Sequence, residues 1–121
     1  MSLEILAVDD SRTMRDMIRL ALEPVGFDVH TADDGMHGIE TLDQLNPDVI
    51  ITDINMPRMD GFEFISSVRA ISKHQVTPIL VLTTEAGADL KTKARLAGAT
   101  GWIVKPFDPT KLVKALQMVA G

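Results

Sequence analysis

The sequence predicts an α/β fold in which a parallel five-stranded sheet carries helices on both faces. Three observations predict it. Five short strand-like runs alternate with five stretches of helical period along the 121 residues, and that alternation is the pattern of strands joined by crossover helices. Two of the runs, Val49-Ile50-Ile51 and Ile79-Leu80-Val81-Leu82, are apolar without alternation, as strands covered on both sides are. Polar groups suited to phosphate or metal chemistry follow every run but the second, where open parallel sheets bind their ligands.

Each element has its own signal. The first strand runs from Leu3 to Val8. Met14, Met17, Ile18, Ala21 and Leu22 then form one helical face opposite Arg12, Arg15, Arg19 and Glu23. The second strand, Phe27 to Thr31, sets Phe27, Val29 and Thr31 against Asp28 and His30, the alternation of a half-exposed edge strand. Ile39, Leu42 and Leu45 mark the second helix, and Phe62, Ile65 and Val68 the third. On the fourth, Leu90, Ala94 and Ala97 face one way while Lys91, Lys93 and Arg95 face another. Trp102-Ile103-Val104 is a short last strand. Asp108-Pro109 starts the fifth helix, an N-cap followed by proline at the first helical position. Its apolar face is Leu112, Ala115, Leu116 and Val119.

Composition removes several classes of function. With 45% apolar and 24% charged residues the chain has the makeup of a globular domain, not of a disordered one. No apolar run approaches the roughly 18 residues of a membrane span, and Met1-Ser2-Leu3-Glu4 lacks the pattern of a secretory leader. The absence of cysteine excludes disulfides and thiolate metal sites and suits a cytoplasmic protein. A net charge of −5 disfavours nucleic acid as a direct partner, and a single tryptophan with no tyrosine offers no stacking platform for bases. Residues 1–121 are expected to form one domain, with no segment left for a second. His30, His37 and His74 are scattered along the chain and suggest no metal site. Met14, Met17, Met56 and Met59 are expected to fill gaps in the core or beside the site.

At the strand ends stand Asp9 and Asp10, then Asp53 with Asn55 two residues on, then Thr83, Thr84 and Glu85, and last Lys105 and Pro106. Each group has a structural explanation of its own. Asp9-Asp10-Ser11 could cap a helix, Asp53 could sit in a turn, Thr83 could be a strand former, and Lys105 could be a solvated lysine. Those explanations are independent coincidences, and together they compete with one joint reading. Carboxylates gathered at one sheet edge repel one another. A divalent cation removes that cost, and oxygen-only ligands suit Mg²⁺. A carboxylate beside Mg²⁺ can act as a nucleophile towards phosphorus, while a lysine and a hydroxyl orient the transferred oxygens.

The residues Val8-Asp9-Asp10-Ser11, Thr52-Asp53-Ile54-Asn55-Met56-Pro57 with Met59-Asp60-Gly61, Leu82-Thr83-Thr84-Glu85 and Val104-Lys105-Pro106-Phe107 follow one another in a specific order and spacing. In them the chain resembles the receiver domains of two-component response regulators, most closely the stand-alone chemotaxis proteins of the CheY type. The resemblance covers essentially the whole chain. It implies the flavodoxin-like strand order 2-1-3-4-5 and a single receiver domain with no output domain. It further implies a phosphoacceptor switch, not an enzyme acting on other molecules, with Mg²⁺-dependent autophosphorylation and autodephosphorylation. Asp53 would accept the phosphoryl group from a sensor histidine kinase. Asp9, Asp10, Asp53 and the Asn55 carbonyl would hold Mg²⁺. Lys105 would pair with the phosphoryl oxygens, joined in the active state by Thr83. Asn55 and Glu85 would flank attacking water, and the Lys105–Pro106 peptide would be cis.

Movement of Thr83 would let Trp102 swing inward and reshape the face of the fourth helix, fifth strand and fifth helix. On that face Lys91, Lys93, Arg95, Lys111 and Lys114 suggest an acidic partner segment. Two positions depart from the family's habit. Trp102 stands where Tyr or Phe is usual, and the larger indole is expected to bury less completely. Thr84 stands where Ala or Gly is common, and is expected to narrow access to the phosphoryl group, against the fast loss of phosphate implied by Asn55 and Glu85. The resemblance implies a cytoplasmic monomer whose expected partners are a chemotaxis kinase, a flagellar motor switch protein and a phosphatase. A phosphate sink draining the kinase, or a regulator in another two-component pathway, are alternative uses of the same chemistry. A small-molecule phosphatase would need a cap that 121 residues leave no room for.

Overall fold

The computed structural model describes residues 2–121. Its strands are β1 (Glu4–Val8), β2 (Asp28–Ala32), β3 (Val49–Thr52), β4 (Ile79–Thr83) and β5 (Gly101–Val104). Its α-helices are α1 (Arg12–Leu22), α2 (Gly35–Leu42), α3 (Gly61–Ala70), α4 (Ala88–Ala97) and α5 (Pro109–Ala120). The strands form one all-parallel sheet in the order β2-β1-β3-β4-β5.

Alternation along the central strands builds two cores. Ile5 and Ala7 of β1, Val49 and Ile51 of β3, and Leu80 and Leu82 of β4 pack on Ile18 and Leu22 of α1 and on Leu112 and Leu116 of α5. The intervening residues Leu6, Val8, Ile50, Ile79 and Val81 pack on Leu42 of α2, on Phe64, Ile65 and Val68 of α3, and on Ala94 of α4. Burial on both faces accounts for the unbroken apolar runs of β3 and β4. β2 lies at one edge with a half-exposed pattern, as its alternation predicted.

Differences from the sequence reading are small and have local causes. Leu3 precedes β1, and Phe27 is buried just before β2, because chain pairing begins only at Glu4 and Asp28. α2 ends at Leu42, and Leu45 packs on the core from the turn beyond it. Phe64, not Phe62, is the fully buried aromatic of α3. Met14, Met56 and Met59 pack against the cores as expected, but Met17 is 42% exposed, on the outer side of α1.

Helix ends follow their side chains. Ser11, Asp34, Asp60 and Asp108 each accept a backbone N–H at the start of α1, α2, α3 and α5. α4 differs, since its N-cap is Gly87 and no side chain caps it. Its other end is pinned. Gly98, at φ +122, leaves room for Arg69 of α3, whose Nε and Nη2 donate to the Gly98 carbonyl at 3.1 and 2.8 Å. The same guanidinium donates from Nη1 to the carbonyls of His74 and Thr77, each at 2.7 Å.

His74, in the short 3₁₀ turn Ser72–His74, is buried with Nδ1 3.1 Å from the Thr77 hydroxyl. Burial, with Lys73 and Arg69 nearby, lowers its pKa below the ordinary histidine value. The fold thus disfavours the imidazolium, and the unfolded chain binds the extra proton first as pH falls. Stability contributed at this position is intact above the unfolded pKa of about 6.5 and declines below it, by at most about 1.4 kcal/mol per pH unit. Urea unfolding at pH 7.5 and 5.5 should show a smaller acid loss for His74→Gln than for the unsubstituted chain.

Candidate functional site

The carboxyl ends of β1, β3, β4 and β5 meet at one edge of the sheet. Pairing places them there: Val8 is in register with Thr52, Thr52 with Val81, and Thr83 with Val104. Two backbone bonds carry the alignment one residue past the strands, from Asp53 N–H to the Val8 carbonyl at 3.0 Å and from Lys105 N–H to the Thr83 carbonyl at 2.7 Å. Asp9, Asp53 and Lys105 therefore project into the same space.

Lys105 Nζ donates to Asp9 Oδ2 at 2.8 Å and to Asp53 Oδ2 at 3.0 Å. Asp9 is 2% exposed and Asp53 8%, so the ammonium lies between two largely desolvated carboxylates. Burial raises the Asp9 pKa, with Lys105 and the Ser11 N–H pulling the other way. For Lys105, burial acts to lower the pKa, but the bonds to Asp9 and Asp53 prevail and raise it. The remaining oxygens are held too. Ser11 N–H donates to Asp9 Oδ1 at 2.9 Å, and Ile54 N–H to Asp53 Oδ1 at 2.6 Å. Arg15 Nη1 donates to the Asp9 carbonyl at 2.7 Å.

Asp10 is exposed, yet one carboxylate oxygen each from Asp9, Asp10 and Asp53 lies within 4.8 Å of the others. Three oxygen donors with one open side suit a hard divalent cation that keeps part of its water shell, as Mg²⁺ does. The donor set fits the expected ion. Gly61 supports this geometry sterically. A Cβ there would strike the Asp53 carbonyl oxygen and come within 2.7 Å of Ile54 Cα, so the loop closes onto Asp53 only over glycine.

The flanking residues fall where the spacing placed them. Asn55 Nδ2 donates to Glu85 Oε1 at 3.2 Å, forming a bridge across the open mouth. Thr83 is fully buried, and its hydroxyl oxygen is 3.4 Å from the Glu85 N–H that donates to it. Thr84 is exposed at the end of β4. The Lys105–Pro106 peptide is cis. Trp102 is half-buried, and its Nε1–H donates to the Glu85 carbonyl at 3.0 Å. The indole thus ties β5 to the loop that carries Thr84 and Glu85.

Lys91, Arg95 and Trp102 line a hollow of about 210 Å³ on the α4–β5 side. Lys93 departs from that group: its ammonium lies 4.2 Å from the centre of the Phe62 ring, towards α3. Lys111 and Lys114 are exposed on α5.

One contact beside the site has no sequence signal. Arg58, in the loop after Asn55, adopts φ +65, a backbone region unusual for a residue with a side chain. It sends Nη2 and Nε to Asp34 Oδ2 at 2.6 and 2.7 Å. Asp34 also accepts the His37 N–H at 2.8 Å, and that bond first, then Arg58, holds its carboxyl below the ordinary range. The pair fastens the loop after β3 to the start of α2.

A sequence model of the response regulator receiver domain matches residues 5–117, and the chain belongs to that family. It is 40% identical to the chemotaxis protein CheY1 of Helicobacter pylori over 121 residues, spanning 98% of each chain. It is similar to the solved structure of the chemotaxis protein CheY4 of Vibrio cholerae, with 46% identity, a TM-score of 0.95, and coverage of 98% of this chain and 99% of that one. Within its family the chain is thus a receiver of the CheY chemotaxis type. A further relative in structure is the receiver domain of the sensor histidine kinase PA1611 of Pseudomonas aeruginosa, 27% identical with a TM-score of 0.92 over 100% of this chain and 99% of that one. That structure was solved with a magnesium ion coordinated in its active-site cleft. Among the described residues no helix is long and apolar enough to cross a membrane.

Removing one partner of a buried charge cluster leaves the others unpaired, which typically costs 3 kcal/mol or more. Lys105→Met should therefore lower unfolding free energy in metal-free buffer by about 3 kcal/mol, read from urea unfolding in EDTA.

Proposed function

We propose that the chain is a phosphorylation switch, a single receiver domain over residues 1–121, whose phosphoacceptor is Asp53. The observation that carries this reading is the Lys105 ammonium held between Asp53 and Asp9, at 3.0 and 2.8 Å, beside the exposed Asp10. An aspartate oxygen attacks the phosphorus of a kinase phosphohistidine. The phosphorus–nitrogen bond breaks as the phosphorus–oxygen bond forms, and the imidazole leaves with the electron pair. Asp9, Asp10, Asp53 and the Asn55 carbonyl would hold Mg²⁺, which would neutralise charge on the transferred oxygens. Lys105 exchanges its bond to Asp53 for one to the phosphoryl group, and Thr83 turns its hydroxyl from the Glu85 N–H towards the same group. Asn55 and Glu85, already bridged, stand where water would approach, and Thr84 narrows the approach. The reaction ends on the chain itself, so the protein serves as a switch with self-catalysed turnover.

Thr83 is the step from chemistry to output. Its hydroxyl meets the backbone of Glu85, and the Glu85 carbonyl accepts the indole of Trp102. Withdrawing Thr83 alters the peptide on which the indole rests, and with it the hollow between α4 and β5. Moving a two-state equilibrium from 1:99 to 99:1 needs about 5.5 kcal/mol. Two or three charge-assisted hydrogen bonds to a phosphoryl group, at roughly 1.5–3 kcal/mol each, supply that. The switch would act as a monomer in the cytoplasm, between a chemotaxis-type sensor kinase and a flagellar motor switch protein bound on α4, β5 and α5.

Incubation with a small-molecule phosphodonor and Mg²⁺ should add one phosphoryl group by intact mass and change Trp102 fluorescence, with neither effect in Asp53→Asn or in EDTA. An unmodified mass for the unsubstituted chain would overturn the reading. Lys91→Glu with Arg95→Glu should weaken partner binding at least tenfold, about 1.4 kcal/mol, while leaving phosphorylation intact. Lys93→Glu should matter less, because Lys93 faces Phe62.

A further inference from the structure

At the opposite end of the sheet, strand pairing assembles a second group of ligating side chains. Glu4 of β1 is in register with Asp28 of β2, and Leu6 with His30. Glu4, Asp28 and His30 therefore share the face of the sheet on which Leu6 lies, two carboxylates and an imidazole on neighbouring strands. Like charges set directly opposite each other across a strand pair are destabilising, and a third carboxylate lies close by, since Asp48 Oδ2 accepts the Glu4 N–H at 2.7 Å. The three histidines look unrelated along the sequence. Folding brings one of them, His30, with Asp28 of its own strand, beside Glu4 of the neighbouring strand.

The imidazole is the decisive feature. His30 Nε2 lies 3.6 Å from Glu4 Oε1 and 3.6 Å from Asp28 Oδ2. Those separations exceed the reach of a hydrogen bond. The atom is shielded from solvent all the same, and it has no hydrogen-bond partner among the described residues. The nitrogen is shielded within a side chain that is 39% exposed, and it stands equidistant from two carboxylate oxygens with no hydrogen bond to either. One oxygen or nitrogen from each of the three residues lies within 4.8 Å of the others. Ligands on a tetrahedral Zn²⁺, with bonds of about 2.0–2.1 Å, stand about 3.4 Å apart. Two 3.6 Å separations match that edge to within a side-chain adjustment. An imidazole with two carboxylates suits a borderline cation such as Zn²⁺ better than Mg²⁺, which prefers oxygen alone.

We propose that Glu4, Asp28 and His30 form a Zn²⁺ site, with water completing the tetrahedron, that clips the edge strand β2 to β1. The cation neutralises the opposed carboxylates and gives the stranded Nε2 a partner. Asp9 follows Glu4 by five residues along β1, so the two sites are about 16 Å apart. Their occupancies are independent, and neither Mg²⁺ nor phosphorylation displaces this ion.

Native mass spectrometry and isothermal titration with Zn²⁺, in excess Mg²⁺ to fill the carboxylate site, test the proposal. One Zn²⁺ should bind with a dissociation constant on the order of 10 µM or tighter. His30→Gln and Glu4→Gln should each weaken that binding at least tenfold, whereas Asp53→Asn should leave it unchanged. Zn²⁺ should shift the His30 ring signals in NMR spectra and raise the melting temperature of the unsubstituted chain but not of His30→Gln. Equal Zn²⁺ binding by His30→Gln, loss of binding in Asp53→Asn, or no binding at 100-fold higher concentration would each overturn it. His30 is partly exposed and outside both cores, and circular dichroism of His30→Gln establishes that the variant is folded.

Discussion

One buried ammonium sets the terms for the upper edge of the sheet. Asp9 and Asp53 end up side by side because β1 and β3 are adjacent and in register, and without Lys105 they would face each other with no ammonium between them. Lys105 reaches them only because the bond from its own N–H to Thr83 extends β5 one residue beyond its last paired position. The cluster therefore depends on the register of β1, β3, β4 and β5 together. Burying such charges is seldom a route to stability, because desolvation opposes the attraction. One lysine among three carboxylates leaves a negative balance, the condition under which a hard cation is drawn in.

The glycine at 61 and the salt bridge from Arg58 to Asp34 shape the same region from outside. Gly61 lets α3 begin against the backbone of Asp53. Arg58 fastens the intervening loop to α2, at a backbone angle that a side chain normally avoids. Strain of this kind persists where surrounding contacts determine the conformation, and here a bidentate grip on a buried helix cap does so. The loop bearing Asn55 is thereby fixed at both ends while its Asn55–Glu85 bridge stays at the surface.

Much of this was legible in the sequence, and what was not has a common cause. Val49-Ile50-Ile51 and Ile79-Leu80-Val81-Leu82 announced buried strands because both faces of the sheet are covered. Asp108-Pro109 announced the start of α5, since cap and first-turn preferences are local. The carboxylates at strand ends could be gathered from topology, although strand order rested on resemblance and not on periodicity. Ser11 caps α1 while Asp9 turns inward to Lys105, so the cap reading of that segment falls on Ser11 and not on Asp9. Arg58 with Asp34, Trp102 with the Glu85 carbonyl, and Lys93 over Phe62 were out of reach. Each joins residues whose approach is set by packing, and a 3.6-residue or two-residue period carries no information about it. The exposure of Met17 was missed for a related reason, because an apolar side chain at the margin of a helical face can fall on either side of it.

The fastening of α4 is lopsided. Four hydrogen bonds from Arg69 hold the turn at Gly98 and the segment beneath it, while the other end begins at Gly87 with no side-chain cap. Of its ten residues only Ala94, in the half nearer Gly98, is buried. Mechanically the helix is a cantilever about 15 Å long, clamped at its carboxyl end. A tilt of about 10° about that clamp would carry the free end by roughly 2.6 Å, beside the loop that holds Glu85, and scarcely move Arg95. The chain has placed its compliance next to the loop that carries Thr84 and Glu85 and its rigidity at the far side.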